Sequence, residues 1–329
     1  MPKPVEEQYP ELLHYTTAAG LAGILTSGCI WASHASFLND AEEITHFFDV
    51  RLIDIVRDVV LAYAQDLARA PEVATKMNAQ GGVEVVARTE ADGLASRLRE
   101  ATLAFNQPYI FSMSAPRDAR IAQNGLLSQW RGYGTDGGYA LVFDTARLND
   151  LLQLEGRTYH YLHAQWGDVH YHGAGQEPQP STEDVAESEA ILRSGIGLLV
   201  RGGTVEETPG FYQAISGLSC LYKHWGFWEE GEVRVVAIPA TPEIIAFAAE
   251  EGETRPSRQA KTFIRAGLAV PYIELFSSLP QRTTQLPIKR VIVGPHRDKN
   301  LRADAIRRLL QQNGYDTEVV CSEIPYIGR

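Results

Sequence analysis

Three cysteines in 329 residues, Cys29, Cys220 and Cys321, are all that the chain holds. They lie too far apart for a metal-ligand spacing, and their odd number without a secretory leader excludes a disulfide-stapled fold and reads as reduced thiols. The first ten residues, MPKPVEEQYP, contain no apolar signal core. No apolar run is long enough to cross a bilayer. The expected protein is therefore cytoplasmic, with no membrane partner. Positive charge is also short: 30 Lys and Arg stand against 41 Asp and Glu, a formal net charge of -11. Such a balance repels phosphate backbones at long range and serves solubility, which sets nucleic acid behind small molecules as an expected partner. Phosphate-loop, nucleophile-elbow and dinucleotide fingerprints are absent.

What is present is a globular composition, 44% hydrophobic and 22% charged. The spacing predicts a strand over 12–16, a helix over 17–27 closed by Gly28, and an extended piece over 30–33. A buried helical stripe follows: Ile44, Phe47, Phe48, Leu52, Ile55, Val56, Val59, Val60, Tyr63 and Leu67. Residues 71–82 read as a linker and 83–105 as another helix. Strands are expected at 109–114, 138–144, 232–238, 289–293 and 317–321, and helices at 184–201, 209–223 and 302–312. The polar stretch 128–138 and the segment 173–184 read as connections. Strands and helices interleave without regular βαβ spacing. That predicts an α+β fold with a mixed or antiparallel central sheet, as one domain over 1–329 with helical insertions at about 41–105 and 184–223.

Four blocks carry polar chemistry. His14-Tyr15-Thr16 ends a strand at a helix start, where free amides favour polar or anionic groups; the plain alternative is a capping threonine and a satisfied histidine. Asp40 and Glu43 have capping-box spacing, which explains the Asn39–Glu43 block without further function. Ser128-Gln129-Trp130-Arg131-Gly132-Tyr133 combines groups that stack on rings and hydrogen-bond polar edges. Lys223 to Arg234 forms the last block. A strand starting near Glu230 would set Glu230, Glu232 and Arg234 on one face, which needs pairing, solvation or use; the plain alternative is a solvent-facing Glu232–Arg234 bridge. His170 and His172 invite a zinc reading, but no further ligand spacing supports it, and no metal is expected.

In order and spacing these blocks resemble a bacterial family known only as domain of unknown function 2971. The carriers are His14-Tyr15-Thr16 with Ile24-Leu25 and Gly28, then Asn39-Asp40 with Glu43, then Phe111-Ser112-Met113-Ser114 with Ser128 to Tyr133. Lys223-His224 with Phe227, Glu230, Glu232 and Arg234 follows, then Ile292 to Pro295 and Ser322 to Tyr326. The chain departs after Tyr326, where Ile327-Gly328-Arg329 replaces an arginine directly after the tyrosine.

More distantly, the opening block resembles the first motif of ADP-ribosyltransferases. That resemblance implies NAD as substrate, with His14 on a ribose, Tyr139 or Tyr133 near nicotinamide, and Glu232 or Glu230 as the catalytic carboxylate. Arg131 or Lys223 would neutralise pyrophosphate, Trp130 and Tyr133 would cover the ring, and Tyr15, Thr16 and Arg234 would complete the ligand cleft. The implied activity is ADP-ribosyl transfer or NAD hydrolysis, with water, a protein or a nucleic acid as acceptor, as in a toxin or phage-defence effector. Two other readings compete: a non-catalytic nucleotide-binding sensor using the same cleft, and a metal-dependent nuclease built on Asp40, Glu43, Glu230 and Glu232.

Overall fold

The computed structural model describes residues 3–38, 44–105, 107–133, 137–173, 183–280 and 285–325. Among them run twelve strands: β1 (Glu11–Thr16), β2 (Ile30–His34), β3 (Tyr109–Ser114), β4 (Tyr139–Asp144), β5 (Tyr161–Asp168), β6 (His170–His172), β7 (Tyr222–His224), β8 (Glu232–Pro239), β9 (Lys261–Arg265), β10 (Leu268–Leu275), β11 (Ile288–Val293) and β12 (Glu318–Cys321). The described chain divides into two compact units. A sheet unit takes Lys3–Phe37, Tyr109–Val169 and the chain from Gly226; a helical unit takes Leu38–Pro108 and His170–Trp225. The two expected helical insertions both fall within the helical unit.

The sheet unit is built on a ten-stranded mixed sheet in the order β12-β11-β4-β1-β3-β2-β10-β9, with β8 and β5 reached through β3. All pairs are antiparallel except β11–β12. One edge of β3 pairs with β8 along its whole length. Its other edge is shared: Ser114 lies opposite Leu13 of β1, while Ile110 and Tyr109 lie opposite Ser33 and His34 of β2. The sheet therefore forks at β3.

Strand alternation sorts the side chains onto two faces. Leu12, Phe111, Met113, Leu141, Val233 and Val235 join the main core, which the helices Ala18–Ser27, Thr145–Thr158 and Lys299–Gln312 also enter. Leu13, Tyr15, Ala140, Val142 and Ile292 face a smaller core with Leu126 and Trp130. The first helix ends as expected, with Gly28 left-handed at φ 63°, where a side chain would be strained.

In the helical unit, Thr45–Phe47 runs through a π turn, Phe48–Leu52, into Ile53–Leu67. This segment packs with Val83–Phe105, Glu183–Leu199 and Phe211–Ser219 around Phe47, Leu52, Ile55, Ala91, Leu192 and Ile196. Of the predicted stripe, Phe47, Phe48, Leu52, Ile55, Val56 and Val60 are buried, Ile44, Val59 and Tyr63 are half-buried, and Leu67 is 40% exposed. Part of the expected linker is helical, Pro71–Ala79, because proline suits the first helical position, where no amide partner is needed. The stretch 128–138 differs likewise, with a helix over Leu127–Tyr133. The block Asn39–Glu43, the loop 174–182 and Tyr326–Arg329 lie outside the described residues.

Candidate functional site

The pleat separates the expected site residues. His14 is paired with Leu141, and Thr16 with Tyr139, on the main-core face. From the opposite face the register runs Leu13↔Ser114, Ser114↔Glu232 and Ser112↔Arg234. Directly opposed residues share a face and neighbours alternate. Glu232, Arg234, Ser112 and Ser114 therefore stand with Tyr15, while His14, Thr16 and Tyr139 stand on the other side. The structure does not bring His14 and Glu232 to one surface, contrary to the expected cleft.

His14 has structural work instead. At the fork, its Nδ1 lies 2.9 Å from the Ser112 carbonyl oxygen, which fixes the tautomer with Nδ1–H donating. Its ring packs on Phe111 with centroids 4.3 Å apart. Burial holds its pKa down to about 4, opposed by the Ser112 bond, so the ring is neutral at pH 7. Thr17, not Thr16, caps the helix, accepting from the Gly20 amide at 3.2 Å. Thr16 Oγ1 lies so near Gly20 that a Cβ there would sit 2.1 Å from it. Tyr139 is buried in the main core.

Trp130 is also a packing residue. It is 1% exposed, donates from Nε1 to the Asn124 carbonyl at 3.0 Å, and meets Tyr15 edge-on at 4.8 Å. The Tyr15 hydroxyl accepts from the Leu126 amide at 2.8 Å, and burial raises its pKa. The C-terminal motif closes the same knot: Ser322 Oγ donates to Asn124 O and the Glu323 amide to Asn124 Oδ1, both at 2.8 Å. The Trp130 ring therefore belongs to the fold and is not placed to cover a ligand. Arg131, the next residue, is exposed in the last turn of its helix. The Tyr133 side chain lies outside what the structure describes.

The charged centre of the sheet unit is Glu232 with Arg234. Arg234 is fully buried, and it donates from Nε and Nη2 to the two carboxylate oxygens of Glu232 at 2.9 and 3.0 Å. The expected bridge is present, but it is buried and not solvent-facing. Across β3 lie Ser112 and Ser114; across β5 lies Gly167, opposite Arg234. Glu230 is not on this strand. The strand begins at Glu232, and Glu230 ends the 3-10 turn Trp225–Glu230, its carbonyl accepting from the Ser114 hydroxyl. Gly231, at φ 52°, makes the break. Ser112 and Ser114 were not among the expected site residues, although their alternation with Phe111 and Met113 already set them on one face.

Lys223 belongs to the helical unit, buried on β7 opposite Tyr171 of β6. His170 stacks on Tyr222, and Tyr222 and Arg51 both bond Glu189 Oε1, at 2.8 and 2.6 Å. Burial lowers the His170 pKa to about 4. His46 faces His172 and His224 with ring centroids 6.2 and 5.9 Å apart. Among the described residues no group of three or more His, Cys, Asp or Glu could hold a metal ion, and none of their helices is long and apolar enough to cross a membrane.

The fold and this centre define an α+β protein whose sheet carries a buried Glu–Arg pair at a fork. A family model described as protein of unknown function (DUF2971) matches residues 129–235, about a third of the chain, and that segment is similar to the family. The matched segment includes Trp130, Arg131, Tyr139, Lys223, Glu230, Glu232 and Arg234, and excludes His14. No curated protein and no solved structure matches the chain.

Proposed function

We propose that the sheet unit is a nucleotide-binding module, and that Glu232, held by Arg234, recognises the ligand's ribose hydroxyls. The observation that carries this reading is the buried bidentate pair itself. Two charges withdrawn from water are often no more stabilising than apolar residues of similar volume, so their presence in the sheet calls for another use. A carboxylate clamped in one plane is a preorganised acceptor for a diol. Ser112 and Ser114 stand beside it. Arg131 is exposed on the helix that lays Trp130 against the same face, and supplies a cation for phosphate. The chain's acidity argues for a small ligand over a polymer.

The NAD-consuming reaction is the second reading, and a rigid ionised carboxylate on a strand is what favours it. The bond from ribose C1′ to the nicotinamide nitrogen would break, its electron pair leaving with the neutral nicotinamide. Glu232 would stabilise the oxocarbenium-like centre, and water would add at C1′ and release a proton. That reading loses His14 as its ribose-orienting partner.

The test is a panel of NAD, ADP-ribose and AMP with the purified full chain, read by thermal unfolding and by chromatography of released nicotinamide. Binding at one hundred times Kd adds about 2.7 kcal/mol of stability. Stabilisation without nicotinamide release is the expected result. Release that Glu232→Gln abolishes transfers the conclusion to the second reading. Absence of any stabilisation overturns both.

A further inference from the structure

We propose that Trp228, with Arg117 standing over it, is the platform on which the base of the bound nucleotide stacks. The inference rests on the nucleotide reading above and assigns the part of the ligand that Glu232 does not touch. Tryptophan is highly buried on average. Trp228 is instead 44% exposed, more than any other of the five tryptophans. Its neighbour Phe227 is 39% exposed.

The platform stands at the Glu232 end of the β3–β8 pair and is tied to it point by point. Ser114, opposite Glu232, donates from its hydroxyl to the Glu230 carbonyl. The Ala115 amide donates to the Gly231 carbonyl at 2.8 Å. Arg117 Nη2 donates to the Trp228 carbonyl, and the guanidinium carbon stands 4.4 Å from the centre of the indole ring. Asp118 then caps the helix Ala119–Asn124, accepting from the Ile121 amide at 2.8 Å. The segment carrying Arg117 is therefore anchored on both sides. Gly231 lets the two segments meet, since a Cβ there would lie 3.1 Å from the Ala115 carbonyl oxygen and 3.5 Å from Arg117 Nε.

A guanidinium over an indole is a cation–π pair, and both groups also stack on flat rings. Arg117 is itself exposed and does not close the indole off from solvent. Holding both side chains in place before binding lowers the ordering cost of a stack. Position selects the occupant. Trp228 and Glu232 are four residues apart, so their Cα atoms are at most about 14 Å from each other, and the 3-10 turn between them shortens that span. A nucleotide whose ribose meets Glu232 carries its base within reach of the Trp228 ring. Stacking tolerates any base, because every base has a π-face. The platform therefore separates a nucleotide from a sugar phosphate, which has no ring to stack.

The experiment measures the affinities of AMP and ribose 5-phosphate, which share sugar and phosphate and differ in the base. It uses the full-length protein and its Trp228→Ala, Trp228→Leu and Glu232→Gln variants, each shown folded by circular dichroism. Wild type is expected to bind AMP at least fivefold more tightly than ribose 5-phosphate, the lower end of the range for a base on an aromatic ring. Trp228→Ala is expected to erase that preference by weakening AMP alone. Trp228→Leu, which keeps apolar bulk without a ring, is expected to do the same. Glu232→Gln is expected to weaken both ligands and keep their ratio. If both Trp228 variants bind AMP as wild type does while Glu232→Gln weakens it, the platform falls and the nucleotide reading stands. The platform also falls alone if the Trp228 variants weaken ribose 5-phosphate as much as AMP, or if Trp228→Leu keeps the preference. If wild type binds neither ligand, the nucleotide reading fails and takes the platform with it.

Discussion

Glu232→Ala removes the carboxylate and takes from the fully buried Arg234 guanidinium the acceptor of the bonds at 2.9 and 3.0 Å. Breaking a buried pair by removing one partner costs about 3–5 kcal/mol. Arg234→Met removes the other partner and leaves a carboxylate whose side chain is 8% exposed, with a cost at the lower end of that range. The double variant Glu232→Leu/Arg234→Met takes both charges away while keeping much of the volume. Replacing a buried pair in this way is often neutral or stabilising by about 1–4 kcal/mol. The double-mutant cycle should therefore show a coupling of several kcal/mol, with the double variant at least as stable as either single one. Urea unfolding of the four proteins, followed by circular dichroism and tryptophan fluorescence, measures it; with two units, each transition is fitted separately. If the pair is kept for a ligand, the double variant folds well yet gains no stability from ADP-ribose. A double variant as unstable as the worse single one would refute the reasoning, because the pair would then be part of the scaffold.

Acidification gives a second prediction. Burial holds His14, His163 and His170 at about 4 against an ordinary 6.5. Between those values the unfolded chain binds more protons, so their stability is complete above pH 6.5 and is lost as pH falls toward 4. The ceiling is on the order of 3 kcal/mol per histidine. Unfolding midpoints measured from pH 7 to 4 should drop, with the sheet unit, which holds His14 and His163, losing more; a flat profile contradicts this. A third concerns Glu155, fully buried and accepting from the Tyr161 hydroxyl at 2.6 Å, from Arg258 Nε and Nη2 at 2.6 and 2.7 Å, and from the Phe276 amide at 2.8 Å. Glu155→Ala is expected to destabilise by about 3–5 kcal/mol in urea unfolding without changing the affinity of folded protein for nucleotide; a loss under 1 kcal/mol would contradict the prediction. A fourth is Gly125→Ala. Gly125 has φ 73°, and an added Cβ would lie 2.5 Å from the Trp130 ring, so a loss above about 1 kcal/mol and a shifted tryptophan emission are expected, against no change if the knot is loosely packed.

The elements were legible where periodicity is strong. The strands at 109–114 and 232–238, the long helix from 83 and the Gly28 cap all follow from alternation, a 3.6-residue period or a left-handed glycine. The regions 145–158, 161–168, 242–250 and 261–275 carried weaker patterns, and their helices and strands emerge in the fold through packing. The site was half legible. That Glu232 and Arg234 pair was readable from their spacing of two on a strand; that the pair is buried was not, since burial comes from partners distant in sequence. The largest misreading came from treating His14, Tyr15 and Thr16 as one block. In a strand, adjacent residues point to opposite faces, so the block could never present all three groups to one ligand. Trp130 showed the same limit: an indole between glycines serves a ring stack or a packing knot equally well, and Asn124 with Ser322 decides it.

Isothermal titration calorimetry of ADP-ribose into the full-length protein and into Glu232→Gln is the measurement that bears most directly on the proposed site. Saturable binding with one equivalent, weakened at least tenfold by the loss of the carboxylate charge, is the expected result. Equal affinity in the two proteins, or no heat of binding in either, would contradict it.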